Sequence, residues 1–218
     1  ALTTDAVANL TTGAVTSLSS TQFGALDASQ VKALTTTQAV ELGSTQTVGL
    51  TVAQTPSLEG VDLAKLSSTA LRAIGDTPFA SLTTGAVQYL SSGQFSVLTD
   101  NQVVALTTSQ AQALGSTQTV GLTQSQAGVL EGRDLAQLSS TALRAITTGS
   151  FASISTGAVQ SLSSAQVSTL KSEQVSALTT AQALALGTQQ AVGLSASQAS
   201  SVEGEDLAKV TTTALKAL

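Results

Sequence analysis

The sequence predicts an all-α solenoid of short kinked helices, one for every eight residues. Three observations support this fold class. An aliphatic residue recurs at every eighth position from Leu2 to Leu218, a hydroxyl residue usually follows it, and glutamine often stands three positions further on. A register kept over 27 complete octads is typical of a repeat architecture. We therefore expect consecutive helices to kink at each octad boundary and to pack their aliphatic residues inward.

The second and fifth octad positions predict where each helix begins. The second position is Ser, Thr or Asp in 19 of 27 octads, and the fifth is Gln in 15. A hydroxyl residue with Gln three positions later is a capping box, in which each side chain binds the backbone N–H of the other residue. Such caps matter because a six-residue helix is far below the ~12–15 residues needed for marginal stability in water. The capping residues we single out are Ser19, Gln22, Thr35, Gln38, Thr107, Gln110, Thr179 and Gln182.

The alternative fold is a β-solenoid, since Thr and Val favour strands. Strands need period-two alternation, whereas the sixth position and the next aliphatic residue are three apart and would lie on opposite strand faces.

Pro56 predicts a local break near a helix end. Gly49, Gly121 and Gly193 end their octads, where we expect left-handed C-caps.

Nine octads form a larger unit, which gives the chain a 72-residue higher-order repeat. LSSTALRA at Leu66 recurs identically at Leu138, and LGSTQTVG at Leu42 recurs identically at Leu114. We predict one repeat array over residues 1–218, with units at approximately 2–73, 74–145 and 146–217. In one interpretation, nine octads complete one superhelical turn whose core is wide on one side and narrow on the other. In the other, the period records gene duplication, with three octads per turn.

Composition excludes several kinds of function. The chain has no His, Cys or Met, which excludes Cys/His zinc sites and Ser-His-Asp or thiol catalysis, and we expect no cofactor and no enzyme activity. Eight basic residues against thirteen acidic ones give a net charge of −5, so nucleic-acid binding is not expected. Apolar residues never run for the ~18 positions that a membrane span needs.

Charged residues cluster in the eighth and ninth octads of each unit. If equivalent octads stack, their carboxylates form an acidic ladder, and Ca²⁺ prefers such oxygen ligands. No calcium-loop spacing is present, and Lys or Arg lies within one turn of each acid, so a solvated, salt-bridged stripe is favoured over a metal site. The weak metal candidates are Glu59, Asp62, Glu131, Asp134, Glu203 and Asp206.

The octad, written LTTxQVxA, resembles the repeat arrays of very large secreted or surface proteins of Gram-negative bacteria. LTTSQAQA at Leu106 and LTTAQALA at Leu178 carry the resemblance, which covers essentially the whole chain. Those proteins are often labelled adhesin-like or haem-utilisation proteins. The resemblance implies an extracellular or bacterial cell-surface location and a structural or adhesive role. Haem binding does not carry over, because only Tyr89 remains as a conceivable side-chain ligand.

The function that this sequence favours is therefore structural. We expect an extracellular rod or fibre segment, such as a surface stalk or a matrix filament. It would associate with copies of itself end to end or laterally, with an unknown cell-surface partner as a further possibility. The first alternative is an α-solenoid that binds another protein. Further alternatives are an ice-binding surface or a Ca²⁺-dependent adhesive surface.

Overall fold

A computed structural model describes residues 2–201, and within that range the chain folds into 24 short α-helices with no β-strand. The predicted all-α solenoid of short kinked helices is confirmed, and the β-solenoid alternative is wrong. None of the helices in the described range is long and apolar enough to cross a bilayer. The chain divides into two compact units, the first ending at Ala113 and the second beginning at Leu114. The three nine-octad units remain a prediction.

Each helix occupies one octad. The helices of the first unit are α1 Thr4–Ala8, α2 Thr12–Thr16, α3 Ser20–Gly24, α4 Ala28–Lys32, α5 Thr36–Val40, α6 Ser44–Thr47, α7 Gly60–Leu63, α8 Ser68–Ala73, α9 Asp76–Ala80, α10 Thr84–Gln88, α11 Ser92–Ser96, α12 Asp100–Val104 and α13 Thr108–Ala113. Those of the second unit are α14 Ser116–Thr119, α15 Gln124–Val129, α16 Gly132–Leu135, α17 Ser140–Ala145, α18 Thr148–Ser153, α19 Thr156–Gln160, α20 Ser164–Thr169, α21 Ser172–Ser176, α22 Thr180–Ala185, α23 Thr188–Ala191 and α24 Ala196–Ser201. Between α6 and α7, the octad that contains Pro56 forms a 3₁₀ helix at Thr55–Ser57, which is the local break predicted there.

The kink between consecutive helices comes from extended residues at the octad boundary. Ile74 ends α8 with φ −63° and ψ 123°, and Gly75 precedes α9 with φ −60° and ψ 154°. Two successive residues outside the helical region turn the chain before the next helix starts. Because the aliphatic residue at the boundary is one of these two, the chain changes direction here while Ile74 stays buried.

Three octads make one turn of the solenoid in each unit. Helices pack against the helix three octads away, so that α1 contacts α4, α2 contacts α5 and α3 contacts α6. The second unit repeats this relationship, with α14 against α17 and α15 against α18. The interpretation with nine octads in one turn is therefore wrong. Helices that stack are three octads apart, and a nine-octad unit corresponds to three turns.

The sixth-position side chains vary in size from one turn of the solenoid to the next, and not around a single turn. Ala39, Thr47 and Thr55 supply three small sixth-position side chains in succession, and the next three are Leu63, Leu71 and Phe79. All six are fully buried. Since protein interiors pack densely, a layer of small side chains next to a layer of large ones keeps the core filled. The expected wide and narrow sides of a single large turn are replaced by this alternation of layers.

The glycines at octad ends are required by close packing and not by a left-handed conformation. No residue in the described range has a positive φ, so the left-handed C-caps predicted at Gly49, Gly121 and Gly193 are wrong. A Cβ on Gly49 would lie 2.2 Å from the carbonyl oxygen of Ser20 in the preceding turn. Gly193 has the same relationship to Ser164. The missing side chain lets two backbones approach each other.

Candidate functional site

In many octads a hydroxyl side chain and a glutamine side chain meet at the start of the helix. The Thr35 hydroxyl accepts a 3.3 Å hydrogen bond from the backbone N–H of Gln38, and the Gln38 Oε1 accepts a 2.7 Å bond from the N–H of Thr35. Each such capping box satisfies two backbone donors that a helix N-terminus leaves without intrahelical partners. The other residue pairs singled out from the sequence, Ser19 with Gln22, Thr107 with Gln110 and Thr179 with Gln182, make the same two bonds.

The glutamine also connects successive turns, a role that the sequence analysis did not foresee. The Gln38 Nε2 donates 2.9 Å and 2.8 Å hydrogen bonds to the carbonyl oxygens of Val7 and Leu10. These carbonyls lie at the end of the helix four octads earlier, where backbone acceptors have no partner within the helix. One carboxamide therefore closes the start of one helix and the end of another. We call this arrangement a glutamine bridge.

Glutamine bridges recur with a constant spacing. Gln102 and Gln174, both fully buried, each reach carbonyls that lie 28 and 31 residues back. A carboxylate in this position accepts the N–H bond but has no hydrogen to donate to a carbonyl. Glutamines that make both kinds of contact include Gln30, Gln38, Gln46, Gln54, Gln94, Gln102 and Gln110 in the first unit and Gln166, Gln174, Gln182, Gln190 and Gln198 in the second.

Four consecutive octads of each unit lack the glutamine, and other groups take part of its role. The Thr47 hydroxyl, fully buried, donates a 2.7 Å bond to the carbonyl oxygen of Ala70 in the next turn. The Ser150 hydroxyl reaches the carbonyl oxygen of Leu122 at 2.6 Å, again 28 residues back. In these runs the residues that stand in place of glutamine are Asp62, Ala70, Pro78 and Ala86 in the first unit and Asp134, Ala142, Ser150 and Ala158 in the second, and the first two octads of the first unit have Ala6 and Ala14 there.

Asp62 places a carboxyl group where the preceding octad has the amide of Gln54. It is 5% exposed, and its Oδ1 is buried without a hydrogen-bond partner. Burial raises the pKa of the Asp62 carboxyl above its ordinary value of 3.8, nearby Glu59 raises it further, and a hydrogen bond with Thr36 lowers it. These surroundings thus disfavour the ionised form of the Asp62 side chain.

The predicted acidic stripe is only partly solvated. Asp134 is 1% exposed, as buried as Asp62, so the expectation of a solvated stripe is wrong for these two residues. Arg133 pairs with Glu131 at 2.7 Å and approaches Asp134 at 3.8 Å. No group of three or more potential metal ligands forms within residues 2–201, and the candidates Glu203 and Asp206 lie outside that range.

Acidic residues lie on two of the three faces that a three-octad turn creates. The first face of the first unit carries Asp5, Asp27, Asp76 and Asp100, and the second carries Glu41, Glu59 and Asp62. The third face contains only Arg72 as a charged residue in the first unit and only Arg144 in the described part of the second. We call this the acid-free face of each unit, taken by itself; it contains helices α3, α6, α8 and α11 in the first unit and helices α14, α17, α20 and α23 in the second.

Comparison with known protein families gives one match. Residues 145–180 match the model of the ALTTAQ repeat, and this segment contains helices α18 to α21. No curated protein sequence matches the chain. The family match supports a repeat-array protein, in agreement with the octads and their stacked helices.

Proposed function

We propose that this chain is a structural repeat element, a segment of an extracellular rod or fibre that extends or spaces other parts of an assembly. The glutamine bridge carries the proposal. Because each bridge spans the same number of residues, an added octad meets the same partners as the octad before it. Arrays of this kind lengthen by repetition, since their stability comes from nearest-neighbour contacts.

The proposal includes the absence of catalysis. General acid–base and nucleophilic mechanisms need a positioned titratable group, most often His, or an activated nucleophile such as a Cys thiolate. The chain has neither residue, and its recurrent polar side chains already bind backbone groups at the octad boundaries.

The test is a change of length in steps of whole units. Deleting residues 74–145 removes nine octads and preserves the register. Small-angle X-ray scattering should then show the largest dimension shortened by about a third while the radius of the cross-section stays constant. A deletion that breaks the register by half an octad is the matched control and should unfold. A particle that shrinks equally in all directions would overturn the proposal.

We propose an extracellular or cell-surface location on the strength of the octad resemblance alone. The lysines give a direct test, because Lys32 and Lys171 are exposed. A membrane-impermeant amine reagent should label them on intact cells of the source organism, with a cytoplasmic protein as the unlabelled control. Labelling that requires cell lysis would contradict the proposed location.

We further propose that copies associate laterally through the acid-free face. In a chain with a net charge of −5, contact through either of the other faces brings carboxylates of the two copies together. The acid-free face avoids this repulsion, and it also exposes Val48, Val120 and Val192, each with about half of its surface accessible. Residues at the start of its helices are small and hydroxylated, which permits close approach.

Placement of new carboxylates tests this contact. Thr21→Glu with Thr45→Glu puts two charges on the acid-free face, and Ser29→Glu with Thr37→Glu puts two on the other faces. All four side chains are exposed and lie at the second position of their helices. The new carboxylates of both pairs should therefore interact equally with the helix N-termini. Sedimentation velocity should show that only the first pair reduces association. Equal effects of both pairs, or a wild-type chain that stays monomeric at every concentration, would refute lateral contact.

A protein-binding module is the second candidate. Exposed apolar side chains recur at the seventh octad position, for example at Val40, Val104 and Leu184. Apolar groups of this kind serve as contact residues when a partner covers them. Recovery of one partner in stoichiometric amount, with loss of that partner in Val40→Ser, would favour this function over the rod.

A further inference from the structure

A cavity of about 330 Å³ opens along one edge of the first unit. Pro56, Leu58 and Glu59 line it at the boundary between the 3₁₀ helix and α7, with Lys32 on one side and Ala86 on the other. These residues belong to three successive turns, because the octad of Pro56 comes three octads after that of Lys32, and the octad of Ala86 comes three octads after that of Leu58. The volume of the cavity lies within the range of pockets that bind small molecules.

The cavity lies where two glutamine bridges in succession are missing. On this edge the bridging positions are Asp62 and Ala86. Gln54 reaches carbonyls 28 and 30 residues earlier, and a glutamine at position 86 with the same spacing would place its amide beside Leu58 and Pro56. Both of these residues line the cavity. The open space thus corresponds to a side chain that other octads possess.

The backbone groups that a bridge would use have no hydrogen-bond partner among the described residues. In the octad that holds Gln54, the Gln54 Oε1 accepts a 2.8 Å bond from the N–H of Thr51, and its Nε2 donates a 2.6 Å bond to the carbonyl oxygen of Leu26. The corresponding groups at the cavity are the N–H of Thr83 and the carbonyl oxygen of Leu58, and neither makes a hydrogen bond within residues 2–201. The wall therefore presents one donor and one acceptor in the arrangement that a primary amide satisfies.

The rim of the cavity carries charges of both signs. Lys32 and Glu59 are exposed and line the opening. An ammonium group and a carboxylate group at the rim suit the α-carboxylate and α-ammonium of a free amino acid. The interior selects for an amide, and the rim adds a preference for the zwitterionic form.

We propose that this cavity binds a primary carboxamide, with free L-glutamine as the ligand that fits both the interior and the rim. The proposal goes beyond the structural role and does not depend on rod formation. In the second unit, the octad corresponding to the 3₁₀ helix is the regular helix α15. The site is accordingly assigned to the copy that contains Pro56.

Titration of the full chain with L-glutamine, followed by the backbone amide signals of Thr83 and Gly85 in nuclear magnetic resonance spectra, tests the proposal. L-Glutamate, which is similar in size but lacks the amide donor, should bind at least about tenfold more weakly. N-acetyl-L-glutamine amide, which lacks both charges, reports on the interior alone. Saturable shifts with glutamine and its amide derivative are expected, and shifts that are not saturable would overturn the site.

Two variants separate binding from folding. Ala86→Gln should fill the cavity with the chain's own amide and abolish binding, while Ala158→Gln, at the equivalent position of the second unit, should leave binding unchanged. If Ala86→Gln fails to fold, Lys32→Ala provides the second measurement, because it should weaken L-glutamine binding without changing that of N-acetyl-L-glutamine amide. Binding that survives in folded Ala86→Gln, or equal affinities for glutamine and glutamate, would refute the proposal.

Discussion

The side-chain nitrogen of Gln102 donates a 2.8 Å hydrogen bond to the carbonyl oxygen of Ile74, 28 residues earlier in the chain. The oxygen of the same carboxamide accepts a 3.0 Å bond from the backbone N–H of Thr99. Gln102 is fully buried, so water does not replace either contact if the amide is removed. The solenoid is therefore held together by side chains that serve two helices at once, in addition to its aliphatic core.

Replacement of Gln102 tests the value of a bridge. Gln102→Ala leaves a buried donor and buried acceptors without partners and should lower the free energy of unfolding by about 2–4 kcal/mol. Gln102→Glu should be worse at pH 7, because its carboxylate faces carbonyl oxygens. Urea denaturation followed by circular dichroism measures both.

The control for this series is Gln22→Glu. Gln22 is exposed, and the hydrogen bonds of its side chain and backbone N–H in the described structure are those of its capping box with Ser19. A carboxylate retains the accepting half of that box, so its effect should stay within about 0.5 kcal/mol. Equal losses for Gln102→Glu and Gln22→Glu would show that the inter-turn bond contributes nothing.

The capping pattern was sufficient to predict the helices. For glutamine, it predicted the bond that the side-chain oxygen accepts at the helix start, but not the bond that the side-chain nitrogen donates to an earlier turn. Thr35 and Gln38 indicate a helix start through local spacing, and local spacing is visible in a sequence. The donor half of Gln38 reaches Val7 and Leu10, 31 and 28 residues earlier in the chain, which no local pattern reveals. One signal was available: Glu also satisfies a capping box, yet the fifth position never contains Glu. The exclusion of Glu indicates that the amide hydrogens have a partner.

The number of octads per turn could not be read from the sequence, because an octad has the same pattern whatever the turn contains. The sizes of the sixth-position residues nevertheless contain an indication of three octads per turn. Ala39 and Thr47 are followed by Leu63 and Leu71 three octads later, a spacing that pairs small with large across a turn of three octads. Pairing of this kind needs a packing model before it can be recognised.

The close approach of two backbones predicts that Gly49→Ala strongly destabilises the fold, whereas Gly13→Ala meets no steric obstacle. A Cβ at position 49 would lie 2.2 Å from the Ser20 carbonyl oxygen, so Gly49→Ala forces the two turns apart and should cost about 2–4 kcal/mol. Gly13, within α2, has no atom within 4 Å of the position of a Cβ. Gly13→Ala should stabilise the chain by about 0.5–1 kcal/mol through helix propensity. Thermal melts of the two variants should diverge, and similar melting temperatures would contradict the packing argument.

We predict that the buried carboxyl of Asp62 destabilises the folded chain less as the pH falls. Its pKa is raised in the folded state, so the folded chain binds the proton more tightly than the unfolded chain does. The destabilisation is full above the folded-state pKa and disappears as the pH falls through that pKa to below 3.8.

Asp62→Asn isolates this contribution. The variant should be more stable than the wild type at pH 7 and should lose the difference near pH 3, as measured by urea denaturation across that range. The matched control is Asp100→Asn, in which the acid lies at the start of α12. A difference between Asp62→Asn and wild type that is independent of pH would assign the effect to shape rather than to charge.

Two buried threonines in neighbouring octads should respond to valine in opposite directions. Thr47 donates a 2.7 Å bond to the Ala70 carbonyl oxygen, and both residues are fully buried. Thr47→Val keeps the shape but leaves that carbonyl without its donor, which should cost about 1–2 kcal/mol. Thr119→Val should behave in the same way, since Thr119 makes the equivalent 2.8 Å bond in the second unit.

Thr55 has the same size and burial, but its hydroxyl oxygen has no hydrogen-bond partner. Thr55→Val therefore removes a desolvated polar group and should be neutral or stabilising by about 1 kcal/mol. Since the two substitutions are chemically identical and both sites lie in adjacent octads of one layer, the difference between them isolates the inter-turn hydrogen bond. Equal destabilisation by Thr47→Val and Thr55→Val in chemical denaturation would mean that loss of packing, and not the bond to Ala70, determines the cost.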